Sequence, residues 1–277
     1  MNHLRRTTHQ SNQIMSPELT EEKPTAGLSN AMMQERLLSQ LQGIGKNPEQ
    51  SIDKKFVIAD GLAMTDNIEN FYRSNVYIAM ERLVEKEGWT EEFAAAWLGQ
   101  AVVETGNPTL HDLDVVEKGS GAGRGMFQYT GARRHLYDRA RQQALREGKN
   151  PNDINWQIDY ALHQDNAGLH FDNLREGLTD SKKNYTFHPK WGTATGYTPS
   201  GQAYGNRFNN ANQLMNAYGE DKVGGYTRAL SGEFTRPGTH HMDRRDKASK
   251  HILSMYSKTK KAKGTSVANS AQNTTII

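Results

Sequence analysis

The amino-acid sequence predicts a mainly α-helical domain at about residues 66 to 256, with a small loop-rich or β portion and flexible tails on both sides. Three observations lead there. Apolar residues recur at helical spacing through five segments, 66 to 86, 91 to 105, 131 to 147, 154 to 165 and 240 to 256, bounded by capping residues or glycine. Between about 168 and 226 this periodicity fades into Gly, Asn, Thr and aromatic residues. The hydrophobic share is 35% and the mean hydropathy −0.83, so part of the 277-residue chain packs poorly.

Residues 1 to about 26 are polar and read as a flexible arm. Ser29 then caps a short amphipathic helix carrying Met32, Met33, Leu37, Leu38 and Leu41, with Gly43 as its stop. Such a helix docks onto a partner subunit or packs on its own domain. Residues 46 to 53 read as linker, and Phe56, Val57 and Ile58 as a strand or extended entry segment. A long core helix from 66 to 86 follows, with Ile68, Phe71, Tyr72, Val76, Ile78, Ala79 and Leu83 at helical spacing and Gly88 closing it.

Thr90 caps the next helix, Glu91–Thr105. Glu91 and Glu92 complement the positive end of its dipole, and Gly106-Asn107-Pro108 stops it. Thr130 caps a helix to about residue 147, with Leu136, Ala140 and Ala144 on one face. Its arginines at 133, 134, 139, 141 and 146 read as a solvated basic face, from which Arg133 or Arg134 can reach a ligand at the preceding loop. Asn152 or Asp153 caps a helix from 154 to 165, mostly core through Trp156, Ile158, Tyr160, Ala161 and Leu162. In the aperiodic region, short strands or loops are expected around Trp191, Tyr197, Tyr204 and Phe208. Thr239 caps a last helix, 240 to 256, with Met242, Ala248, Ile252, Leu253 and Met255 as its apolar residues, before a disordered tail from 257 to 277.

Several classes drop out. The absence of cysteine excludes disulfides and thiolate-ligated metals. No run of eighteen apolar residues marks a membrane helix, and no apolar region follows the basic residues of the N-terminus as in a signal peptide. A net charge of +3 is too mild to argue for nucleic acid, though compatible with anionic wall polymers. His240, His241 and Asp243 lack helical metal-ligand spacing, so no metal or other cofactor is expected.

The stretch from 94 to 131 carries the chemistry. Phe93, Trp97 and Ala101 cluster on one helix face, and Glu104, seven positions after Trp97, falls almost below it. A carboxylate on an apolar face is expected to have its pKa raised by burial, towards the range of a proton donor near neutral pH. At the helix end it can equally reach water or cap a loop. Asp112 and Asp114 follow in an aperiodic segment, close enough to fold back, and paired carboxylates equip glycoside hydrolysis. Glycines at 119, 121, 123 and 125 lack the Gly-Lys-Ser/Thr ending and preceding strand of a phosphate loop. They permit tight turns and close ligand approach, and lead into Gln128 and Tyr129, an amide and a ring suited to a sugar.

Glu104-Thr105, then Gly125-Met126-Phe127-Gln128-Tyr129-Thr130-Gly131 with Arg133-Arg134, resembles the phage tail lysozyme family of the lysozyme-like superfamily, which includes lytic transglycosylases. Asn155-Trp156-Gln157-Ile158-Asp159-Tyr160-Ala161-Leu162 is similar to a further family helix. Glu233-Phe234-Thr235-Arg236-Pro237-Gly238, followed by Met242-Asp243-Arg244-Arg245 and Ala248, resembles its closing segment. The resemblance implies a lysozyme-like domain and a virion-borne enzyme that cuts peptidoglycan between N-acetylmuramic acid and N-acetylglucosamine at the host wall. Glu104 would be the acid, Asp112 or Asp114 its second carboxylate, and Gly123, Gly125, Gln128, Tyr129 and Arg133 the groove. Other virion proteins would hold the N-terminal arm. The competing expectation is a structural or ejected virion protein that keeps the fold and binds glycan or neighbouring subunits without cleaving.

Overall fold

The computed structural model describes residues 55–164, 168–188, 196–197, 203–204, 208–237 and 241–273. The expected arm, the amphipathic helix beginning at Ser29 and the linker lie outside the described residues, as do Trp191, Thr239 and His240.

The first described element is an antiparallel hairpin of β1 (Lys55–Ala59) and β2 (Leu62–Thr65), paired from Lys55 with Thr65 to Ala59 with Leu62. The Asp60-Gly61 turn closes it because Gly61 adopts φ 74°, which a side chain disfavours.

The single helix expected from 66 to 86 is broken in two. α1 spans Ile68–Tyr72, and α2 spans Asn75–Glu81 with a π-helical turn, Arg82–Lys86, behind it. Ser74 makes the break: its Oγ donates to Phe71 O (2.6 Å), ending one helix, and accepts from Tyr77 N (3.3 Å), starting the next. Apolar spacing runs through a cap of this kind unaltered, which is why periodicity alone overlooks it.

α3 is Glu91–Thr105. Thr90 Oγ1 accepts from Phe93 N (3.2 Å), and Gly106 turns left-handed at φ 62°. Instead of one apolar face, the helix buries every residue from Phe93 to Val102. It is the central rod of the core, with the rings of Trp89, Phe93, Trp97, Phe171 and Phe234 packed along it.

α4 (Gly131–Arg146) and α5 (Ile154–Asp159, prolonged by the π-helical turn Tyr160–Gln164) follow; Asp153 caps α5 by accepting from the amides of Asn155 and Trp156. The aperiodic region is more helical than its composition predicts. It holds α6 (Gly168–Thr179), the short pair β3 (Gly196–Tyr197) and β4 (Ala203–Tyr204), α7 (Ala211–Tyr218) and α8 (Lys222–Leu230). Phe171, Leu174 and Leu178 give α6 a buried stripe, and Asn210 and Asp221 cap the other two helices. Gly224 and Gly225 lower the local helix propensity, but Cβ atoms there would stand 3.0 Å from Tyr218 Cε1 and 2.9 Å from Met215 Sδ of α7. Tight packing of α7 on α8 overrides propensity.

A π-helical turn, Ser231–Thr235, prolongs α8. The last helix, α9, spans Met242–Asn273 and so passes well beyond the expected end near residue 256. Its extension is packed: Thr259 is fully buried, Lys260 pairs with Glu91 at 2.7 Å and Lys263 with Glu81 at 3.2 Å. No helix among the described residues is long and apolar enough to cross a membrane. α9 lies almost in backbone contact with α3, since a Cβ on Gly99 would sit 2.1 Å from Ser249 Oγ.

Candidate active site

Glu104 occupies the last turn of α3, where burial gives way to solvent, and its side chain is 15% exposed. The surroundings differ from the apolar face that the sequence implies. Its Oε1 accepts a 2.7 Å hydrogen bond from Nη2 of Arg245, a side chain only 2% exposed in the first turns of α9. Nη1 of the same guanidinium donates to Gln100 Oε1, also at 2.7 Å. Gln100 lies one turn before Glu104 and is itself fixed, donating through Nε2 to Thr227 O (3.1 Å) and accepting from Thr235 Oγ1 (3.4 Å). Beyond Glu104, Thr105 Oγ1 donates to Ala101 O and accepts from Asn107 N. Asn107 then folds the loop over itself by accepting from the amides of Thr109 and Leu110.

The two aspartates diverge. Asp112 is exposed; its backbone oxygen accepts from Asn107 Nδ2, and its carboxylate stands at the surface. Asp114, 13% exposed, is engaged on both oxygens. Oδ1 accepts from Arg124 Nε (2.8 Å) and Tyr137 OH (3.0 Å), while Oδ2 accepts from Arg124 Nη2 (3.0 Å) and Arg141 Nε. Burial, then the Asp114 carboxylate, raises the Tyr137 hydroxyl far above its ordinary pKa, so it remains a donor. The sequence gives Asp114 as a candidate acid or base, but the structure fills its lone pairs with structural donors. Among the described residues, neither aspartate is hydrogen-bonded to Glu104 or to a partner of Glu104.

The glycine segment is a self-bonded hairpin. Glu117 N donates to Gly123 O (2.9 Å), Gly125 N to Val115 O (3.0 Å) and Tyr129 N to Arg124 O (2.8 Å). Gly125, at φ 82°, has the Tyr137 ring 2.8 Å from where its Cβ would be. A Cβ on Gly123 would meet Gln128 Oε1 at 2.8 Å. Gln128 is turned inward, in left-handed conformation at φ 46°, with Nε2 donating to Gly125 O (3.0 Å). Tyr129 is 1% exposed, its ring among those of Tyr137 and Tyr160. Arg133 caps the same core, its guanidinium 4.8 Å from the Tyr129 ring and its Nη1 donating to Phe234 O (3.1 Å). The expectation that these side chains face a sugar therefore meets a loop in which they hold each other. Residues 117 to 122, at the hairpin's tip, are exposed.

One dipeptide joins the loop to the Glu104 end of α3. Phe234 packs edge-on to Phe127 at 4.8 Å and near Trp97, while Thr235 reaches Gln100. The Glu104 end of α3, the glycine hairpin and the chain's closing segment thus meet around one aromatic cluster. A family model for phage tail lysozymes matches residues 74–256, spanning all three. The chain belongs to the phage tail lysozyme family. No curated protein and no solved structure matches it. The helical architecture is accordingly a lysozyme-like fold, and this family member is a lysozyme-like phage protein that acts on peptidoglycan.

The sequence assigns Gln100, Thr235 and Arg245 no role in the site, although Thr235 and Arg245 fall in the closing segment that resembles the family. A signal exists for two of them. Gln100 interrupts an apolar helix one turn before Glu104, and Arg245 falls on the buried register of α9, between Met242 and Ala248.

Proposed function

We propose that this phage tail lysozyme is a virion-associated glycosidase that cleaves the β-1,4 bond between N-acetylmuramic acid and N-acetylglucosamine, opening the wall locally at infection. Glu104 protonates the glycosidic oxygen. The observation that carries this reading is the placement of Glu104: a carboxyl at the end of the central helix, held on one oxygen by a buried guanidinium and still open to solvent. A side chain so placed is rigid on the protein side and available on the other, as a general acid requires.

Asp114 has no lone pair left for a water, so the acid works either with Asp112 or without a second carboxylate. With Asp112 at roughly 6.5 to 9.5 Å the outcome is inverting hydrolysis. Without it, the C6 hydroxyl of the muramic acid attacks C1 as the bond to the leaving oxygen breaks; Glu104 gives its proton to that oxygen and then takes one from the hydroxyl, leaving a 1,6-anhydro end. The loop residues Gly123, Gly125, Gln128 and Tyr129 shape the groove through the backbone they hold in place.

Digestion of purified sacculi with the wild type and with Glu104→Gln, followed by mass spectrometry of the soluble fragments, tests the reading. Reducing muramic acid ends that vanish in the variant support hydrolysis, and anhydromuramic ends that vanish support the transglycosylase route. No release by folded wild-type protein across pH values would instead favour the structural or glycan-binding reading.

A further inference from the structure

Resting on the reading of Glu104 as the acid, we infer that Arg245 is its positioning residue, and that the Gln100–Arg245–Glu104 clamp sets the orientation in which the carboxyl meets the glycosidic oxygen. Arg245 stands where packing does not call for an arginine. Its neighbours on the buried side of α9 are Met242, Ala248, Ile252 and Met255, and it is 2% exposed among them. A methionine or leucine there would fill similar space without taking a guanidinium out of water. Ion pairs buried at this depth add little or nothing to stability compared with such isosteres, so what the arginine supplies is geometry.

That geometry is specific. The guanidinium is a planar fork, and its two terminal nitrogens each lie 2.7 Å from an acceptor on the same helix, Gln100 Oε1 and Glu104 Oε1, one turn apart. Both acceptors are needed to fix the plane of the fork. Gln100 is itself held by Thr227 and Thr235, so the chain of contacts ends on rigid backbone. Among the described residues Arg245 is the one hydrogen-bond partner of the Glu104 side chain, and it occupies Oε1. Oε2 is left to carry the proton that is transferred. Without the fork, a glutamate in the last turn of a helix samples its rotamers, and that entropy must be lost again in each turnover.

The test compares Arg245→Gln, Arg245→Lys and Glu104→Gln on soluble, uncrosslinked glycan strands, with thermal melts confirming folding. Displacement of the acid by about an ångström corresponds to a fall on the order of 10²-fold in kcat. Arg245→Gln is expected to show such a fall with KM within about twofold, because the sugar's own contacts are untouched. Arg245→Lys keeps a cation that reaches one acceptor at a time, and is expected to recover part of the rate. A folded Arg245→Gln with wild-type kcat, or a loss confined to KM, overturns the inference. Should Arg245→Gln not fold, Gln100→Leu carries the test: it removes the Gln100 acceptor of Nη1 and leaves Glu104 its partner, so a lowered kcat at unchanged KM supports the clamp and an unchanged kcat overturns it. An active Glu104→Gln would instead sink the reading of the acid itself, whatever the arginine variants do.

Discussion

Replacing Asp114 with alanine separates a structural carboxylate from a chemical one. The side chain accepts four hydrogen bonds from three residues, Arg124, Tyr137 and Arg141, which tie the glycine hairpin to α4. Behind them Gln157 of α5 donates to Tyr137 OH (2.7 Å) and accepts from Met126 N (3.1 Å), extending the bolt to a third element. Removing one partner of a buried ion pair costs about 3 to 5 kcal/mol, chiefly through the charge left behind. Here the two arginine side chains remain 20% and 25% exposed, so water recovers part of that. About 2 kcal/mol for the arginines and about 1 kcal/mol for the Tyr137 hydroxyl is the resulting magnitude, on the order of 3 kcal/mol. For a domain of this size that lowers Tm by roughly 6 to 12 °C. Asp112→Ala, at an exposed site, should stay within about 0.5 kcal/mol of the wild type. Melts by circular dichroism, read beside glycan release at 15 °C and 37 °C, give the comparison. Asp114→Ala is expected to lose activity at the higher temperature in step with unfolding and to regain it on cooling. A variant with wild-type Tm and no activity at either temperature would refute this, and would return Asp114 to the chemistry.

Two other perturbations probe the frame around the site. Gly99→Ala drives a methyl to 2.1 Å from Ser249 Oγ and 2.9 Å from Ser249 N, so α3 and α9 must separate; a loss of about 2 to 3 kcal/mol is expected, and an unchanged denaturation midpoint would contradict the close approach. His251 stacks on Phe56 at 4.4 Å and donates through Nε2 to Thr65 O (2.9 Å), docking the β1–β2 hairpin on α9. Burial foremost lowers its pKa below the ordinary 6.5, against the opposing pull of Thr65 O and Asp66. The unfolded chain therefore binds the proton first as pH falls, and stability present above about pH 6.5 declines below it. His251→Gln should flatten the fall in Tm between pH 7 and pH 5, and an identical slope would exclude His251 as a source of it.

The sequence makes α3 legible almost to the residue because its signals are local: Thr90 and Gly106 lie beside the helix they bound. The resemblance carried by Glu104, the Gly125–Gly131 segment and the Glu233–Gly238 segment is local too, and the family match spans those same segments. What escapes is whatever depends on partners distant in the chain. The inward turn of Gln128, the saturation of Asp114 by residues 10 to 27 positions later, and the helices α7 and α8 behind Gly224 and Gly225 are settled by tertiary contacts. No spacing rule within one helix could place Arg245 against a carboxylate 141 residues earlier.

The geometry of α3 and α9 shows why that distant contact is firm. Arg245 meets Glu104 at the C-terminal end of α3, and Lys260 meets Glu91 at its N-terminal end, so the two helices run antiparallel. At about 1.5 Å per residue, the span from 245 to 260 is roughly 22 Å and that from 91 to 104 roughly 20 Å. The helices therefore share one register along the whole of α3. Gly99 and Ser249 fix their separation in between, at a contact that admits no side chain. Sliding α9 by one turn would break both ion pairs and move Ser249 away from Gly99. Lys260 lies past the end of the family match at residue 256, so the extension of α9 adds a contact to the register that brings Arg245 to Glu104. The positioning role inferred for Arg245 needs a support that cannot drift, and a rod held at both ends and in between supplies one.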